Sequence, residues 1–217
     1  GSGTDLHWEV GIGDESGPQS VTQWDPAFVY HHPGWVASPS TNANWISYAK
    51  DSRHKSGDDK LILYFRIKFL LNASINLNDF RLDMSFYADN SVNDIYVNGV
   101  SQSSNYPNVL PQHQNSSTGA FRYTGFKKKN GAHIQLSKDW EKCENELIVS
   151  VHSGPSYVGL LVQNSTQCFK ATKPEYLPQL EVKWGESDCD CIESDDIETM
   201  TLTVCNRYSN IDFNKLS

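Results

Sequence analysis

Residues 79–88 read Asp79-Phe80-Arg81-Leu82-Asp83-Met84-Ser85-Phe86-Tyr87-Ala88. In an extended chain Phe80, Leu82, Met84 and Phe86 share one face, and Arg81, Asp83, Ser85 and Tyr87 share the other. A period of two with one apolar face is the pattern of a half-buried antiparallel strand. The next stretch, ADNSVNDIYVNG over residues 88–99, predicts a second strand at 94–97 that ends in Asn98-Gly99. That pair suits the two positive-φ positions of a type I′ turn, so a hairpin is expected there. The short side chains of Asp89 and Asn90 can accept backbone N–H groups where the first strand ends. The whole stretch therefore reads as structural rather than as a ligand site.

Working outward, residues 61–71 (LILYFRIKFLL) form a longer apolar run suited to a central strand. Further strands are expected at 120–126, 132–136, 146–152, 157–163 and 178–184. Turn signals separate them: Gly57-Asp58-Asp59, Asn98-Gly99, Asn130-Gly131 and Ser153-Gly154-Pro155. Helical periodicity is nearly absent, with one short helix expected around residues 138–142. Many short strands punctuated in this way point to an all-β, two-sheet sandwich. The first sixty residues look irregular. They hold Pro18, Pro26, Pro33 and Pro39 and also Trp8, Trp24, Trp35 and Trp45, so they must pack on something or bind something. Gly1-Ser2-Gly3 reads as a tag remnant, compatible with removal of a natural leader.

The formal net charge is −8. Residues 185–217 hold eight acids and two bases, a balance of −6, which leaves 18 acids against 16 bases, or −2, in the rest. A nearly neutral body with an acidic tail argues against a nucleic-acid partner, which would require a basic face. Lys127-Lys128-Lys129 runs into Asn130-Gly131 and reads as a solvated turn. No apolar run approaches bilayer length, so membrane insertion is not expected. The cysteines are Cys143, Cys168, Cys189, Cys191 and Cys205. Their odd number implies a free thiol or a partner elsewhere. Sequons at Asn72, Asn115 and Asn164 are about as many as chance gives in so polar a chain.

Trp45-Ile46, Tyr64-Phe65-Arg66-Ile67-Lys68-Phe69, Ala88-Asp89-Asn90, Tyr96-Val97-Asn98-Gly99, residues 143–151 (CENELIVSV) and Gly159-Leu160-Leu161-Val162 follow one another in order. Over about residues 24–165 this series resembles the galactose-binding-like jelly rolls of bacterial surface proteins, adhesins and glycoside hydrolase accessory modules. The resemblance implies a jelly-roll β-sandwich, a core position for Trp45 and a structural calcium ion. Cys143 stands where that family usually has Gly, which suggests a local disulfide with Cys168.

No nucleophile motif, metalloprotease motif or phosphate loop is present, so an enzyme is not expected. The carboxylate pairs Asp58-Asp59 and Asp195-Asp196 sit in expected loops. His31 and His32 are adjacent in an extended segment, point opposite ways and make a poor chelate. Sugar binding is the leading reading, because sugars are met by a flat aromatic with convergent polar groups. The candidates are Trp35, His31 and His32 in one loop, Asn105 and Tyr106 in a second, and Tyr157 in a third. Trp35, flanked by Gly and Pro, is expected to be exposed, whereas Trp8, Trp24, Trp140 and Trp184 are expected in the core or covering it. Asp58, Asp59 and Asp89 are the calcium candidates, with Asp14 and Glu15 as further loop acids; none has the spacing of an EF-hand. The acids Asp188, Asp190, Glu193, Asp195 and Asp196 read as a solvated run. Cys189, Cys191 and Cys205 fit a disulfide better than a thiolate zinc site.

The expectation is thus a jelly-roll sandwich over residues 5–180 and an acidic extension or second β-unit over 181–217. Its role would be that of a non-catalytic, extracellular carbohydrate-binding or adhesion module of a larger surface protein, its partner a glycan or glycoprotein. The alternatives are a structural or protein-binding domain without a glycan site, or an accessory domain of an enzyme.

Overall fold

In the computed structural model, residues 3–38, 43–53, 60–71 and 75–164 are described. They contain β1 (Gly3–Gly13), β2 (Asp25–Val29), β3 (Ile46–Ser47), β4 (Leu61–Leu71), β5 (Leu82–Asp89), β6 (Ser91–Val97), β7 (Val100–Ser101), β8 (Ala132–Leu136), β9 (Cys143–Ser153) and β10 (Gly159–Asn164). Three short 3₁₀ turns, Pro18–Ser20, Ala120–Arg122 and Lys128–Asn130, are the helical elements among the described residues. The strands form one ten-stranded sheet in the order β7-β6-β9-β4-β1-β2-β3-β10-β5-β8. The sheet is antiparallel and curls on itself, as a jelly-roll sandwich requires. The expected strands 178–184 and the extension 181–217 lie outside the described residues.

The alternation in residues 79–88 produces the expected inner face: Phe80, Leu82, Met84 and Phe86 are all buried. The other face departs from expectation at its end, because Tyr87 is buried as well. It belongs to a second apolar cluster with Trp35, Trp45 and Leu161. β5 lies between β10 and β8, with Leu161 opposite Tyr87 and Ile134 opposite Met84. Asn98 and Gly99 have φ of 49° and 81° and join β6 to β7 with Val97 opposite Val100, which is the tight hairpin that Asn-Gly dictates. Asn98 does more than turn. Its amide donates to Asp139 O at 2.7 Å and its Oδ1 accepts from Glu146 N at 2.8 Å.

Three expectations need correction. The first sixty residues are not irregular throughout, because β1 is a central strand hydrogen-bonded to β2 and β4. Its pairing with β2 slips between Thr4 and Glu9, where Asp5 Oδ1 accepts from the N–H groups of His7 and Trp8. Gly11 is needed in β1, since a Cβ there would lie 2.1 Å from Val21 Cγ1. Residues 120–126 are not a strand but a 3₁₀ turn followed by further turns. Residues 138–142 are not helical, and Asp139 has φ of 63°, outside the right-handed helical region.

The chain divides into two compact units. The larger contains residues 1–68, 81–139 and 146–169. In it Arg66 lies 4.0 Å from the Trp24 ring centroid and 2.6 Å from Glu9 Oε2. In the smaller unit Trp140 packs edge-on against Phe80 at 5.3 Å and tilted against Phe69 at 5.8 Å. There the Asn145 amide donates to the carbonyls of Glu141 and Cys143.

Candidate functional site

β2 ends at Val29, and the chain continues through Tyr30-His31-His32-Pro33-Gly34-Trp35. Tyr30 N donates to Trp45 O at 3.0 Å, Trp35 N to His32 O at 3.0 Å, and Val36 N to Phe126 O at 2.9 Å. These bonds fix the loop and turn Trp35 inward. The expectation that Trp35 is exposed is overturned: it is 5% exposed. Its ring meets Trp45 at 4.5 Å, and Tyr30 approaches edge-on at 6.0 Å. The reason is chemical. An indole can be buried only if its N–H finds an acceptor, and Asp89 Oδ2 accepts that proton at 2.7 Å. Trp45 is buried as expected and donates to Val36 O.

Asp89 is therefore a structural anchor. Burial pushes its carboxyl up to about 6, partly offset by the Trp35 hydrogen bond and the Lys127 charge. Asn90 Oδ1 accepts from Gly154 N at 2.7 Å. Asp94 is also buried and accepts from Ile95 N, Ser103 N and the Ser101 hydroxyl. The polar side chains Asp89, Asn90, Asp94 and Asn98 of the stretch 88–99 thus serve internal hydrogen bonds; Asn90 accepts a backbone N–H as expected, whereas Asp89 accepts a side-chain indole instead. Among the described residues no group of three or more His, Cys, Asp or Glu side chains is placed to hold a metal ion. Asp58 and Asp59 lie outside the described residues.

His31 and His32 point to different surroundings, as their extended backbone implies. His32 meets Tyr157 at 4.2 Å and Trp35 at 5.6 Å, tilted against both rings, and its Nδ1 accepts from Gly34 N. Arg53 sits 5.6 Å from the Tyr157 ring centroid and donates to its hydroxyl at 3.4 Å. His31 instead lines an open groove of about 830 Å³ with Gly3, Thr4, Phe28, Val29, Tyr30 and Lys50. Lys50 Nζ lies 5.9 Å from the Phe28 ring centroid. Among the described residues no carboxylate lines this groove. Sequence reasoning missed Phe28 and Lys50; the short apolar run Ala27-Phe28-Val29 was a signal, but only a recognised β2 could use it.

Asn105 and Tyr106 belong to a different loop and meet different partners. Asn105 bonds Gln102 and Lys138, and the Tyr106 hydroxyl donates to Gln135 O. Cys143 is buried, with φ of 70°. Cys168, Cys189, Cys191 and Cys205 lie outside the described residues. Compared with known proteins, the chain matches no family model and no curated protein.

Proposed function

We propose that this chain is a non-catalytic, extracellular carbohydrate-binding or adhesion module of a larger surface protein, built as a galactose-binding-like jelly roll. The observation that carries the reading is the groove beside β2. Phe28 and Tyr30 offer aromatic surface for the C–H face of a sugar ring, and His31, Lys50 and Thr4 offer groups for its hydroxyls. His32, Tyr157 and Arg53 form a separate aromatic and cationic cluster that packs on the buried Trp35–Trp45 pair. Trp35 contributes rigidity in this reading, not a binding surface. We read Asp89 as a structural anchor rather than a calcium ligand, since its Oδ2 already accepts a hydrogen bond from the Trp35 indole. We assign Cys143 to a disulfide, with Cys168 as its expected partner, which peptide mapping under non-reducing conditions checks.

A glycan array, run with and without a calcium chelator, tests the assignment. The wild type is expected to bind, the chelator to have no effect, and Phe28→Ala and His31→Ala each to weaken binding about tenfold, the scale of 1.4 kcal/mol. An array that stays silent, with tight binding to a protein instead, overturns the sugar reading in favour of a protein-binding domain.

A further inference from the structure

His152 on β9 is buried, and its Nδ1 is the one buried side-chain nitrogen or oxygen among the described residues without a hydrogen-bond partner. An unpartnered buried polar atom is destabilising and needs a reason. Its surroundings supply one. Phe121 lies flat on the imidazole, with centroids 4.9 Å apart and planes at 22°. Ser91 is the β6 residue opposite His152, and the Ser91 hydroxyl meets His113 Nδ1 at 3.1 Å. The charged or titratable groups around this corner are His113 in the loop after β7, Lys60 with Nζ 5.1 Å from the Phe121 centroid, and Arg122 in the same turn as Phe121. Asp89, next to Asn90, gives its Oδ2 to Trp35. A proton added to His152 would join His113 and Lys60, and Nδ1 has no hydrogen-bond partner among the described residues.

Phe121 begins a segment that reaches the candidate site. Along residues 119–130, Gly125 N donates to Asn90 O at 2.9 Å, Phe126 O accepts from Val36 N, and Lys127 Nζ donates to Gly34 O at 3.0 Å. Phe126 also packs against the Trp35–Trp45 cluster. One segment therefore leans on His152 at one end and holds the Tyr30–Val36 loop at the other.

We propose that residues 119–130 form an acid-released strap: protonation of His113 and His152 lifts Phe121 off the imidazole and frees the loop that carries His31 and His32. When the imidazole is neutral, a flat aromatic cover suits it. When it is cationic, Nδ1–H has no acceptor under that cover, and the charge gains hydration only if the strap moves. Burial and His113 hold His152 down to about 4, and burial lowers His113, which supports an opening in mild acid rather than at neutral pH. The proposal deepens the site reading by naming its regulation, and it rests on the groove only for its consequence; the opening itself is measured without any ligand.

Hydrogen exchange of the intact chain at pH 7.5 and pH 4.5, corrected for intrinsic rates, tests it. The Gly125 and Val36 amides are expected to exchange roughly tenfold to a hundredfold faster at pH 4.5, the range set by a two-unit pKa depression. His152→Phe, which keeps the stacked shape without the titrating nitrogens, is expected to abolish this acceleration. Phe121→Ala, a change on the strap itself, is expected to give fast exchange at both pH values. Equal wild-type exchange at the two pH values, or acceleration that persists in His152→Phe, overturns the strap. If His152→Phe does not fold, Phe121→Ala decides alone: slow exchange at pH 7.5 refutes it. A silent glycan array leaves this result untouched, so the two readings fail separately.

Discussion

Asp89 and His152 are both ionisable side chains taken out of water, one at the end of β5 and one near the end of β9, and the fold treats them in opposite ways. Asp89 receives a proton donor, the Trp35 indole, and a nearby cation, Lys127. His152 receives a flat aromatic cover, a second histidine nearby and no partner for Nδ1. Burial makes both prefer their neutral forms, but neutrality means a bound proton for the acid and a missing one for the base. Asp89, raised from 3.8 to about 6, adds stability that is complete below pH 3.8 and is lost as pH rises through 6. His152, lowered from 6.5 to about 4, adds stability that is complete above pH 6.5 and is lost as pH falls through 4. The partnered corner is a clamp and the unpartnered one is a hinge.

The harshest way to break this contrast is Trp35→Ala. It empties a cavity beside Trp45 and Tyr87 and strands the Asp89 carboxyl without its donor. A loss of about 3–5 kcal/mol is expected in urea unfolding. A loss under 1 kcal/mol would mean that the indole is not in the core. Next in size is Asp89→Asn, which keeps an acceptor for the indole and removes the charge. Its stability is expected to exceed that of the wild type at pH 7.5 by up to about 3 kcal/mol, the equivalent of two pKa units, and to match it at pH 3.5. An advantage that appears only in acid would reverse the assignment. His152→Phe sharpens the other side. The variant should match the wild type within about 1 kcal/mol at pH 7.5 and exceed it by on the order of 2 kcal/mol at pH 4.5. Thermal melts across that pH range, with Asp89→Asn as background to remove the opposing slope, separate the two contributions.

Elements governed by local chemistry were legible in the chain. β4 over 61–71 and β8 over 132–136 were read with the bounds they have, because continuous or alternating apolar runs between turn signals leave little choice. The Asn98-Gly99 turn was legible for the same reason. Trp35 was not: Gly34 and Pro33 signal a loop, and loops are usually exposed, but the residue that buries this one lies 54 positions away. Residues 120–126 alternate like a strand. Their fate is decided by Gly125, where a Cβ would sit 2.5 Å from Asn90 O, and by Phe121 finding His152. β1 was passed over although Leu6, Trp8, Val10 and Ile12 alternate, because its glycines at 11 and 13 and the prolines that follow read as loop. Of the candidate site, His31 and His32 were named from sequence and their divergence was foreseen. The groove partners Phe28 and Lys50 depend on a strand that long-range pairing creates.

The smallest effect is expected where apolar character comes without partners. Leu6 is 81% exposed, within the slipped part of β1 that Asp5 shapes through its bonds to His7 N and Trp8 N. If partnering rather than residue type sets the cost of a substitution here, Leu6→Ser should change stability by less than about 0.5 kcal/mol. Asp5→Ala should cost about 1 kcal/mol, because two backbone N–H groups lose their acceptor. The two changes sit one residue apart, so a shared environment cannot explain a difference between them. A Leu6→Ser loss larger than the Asp5→Ala loss in the same urea series would show that hydrophobic cover outweighs hydrogen-bond partnering at this edge, and the contrast drawn between Asp89 and His152 would then need a packing explanation instead.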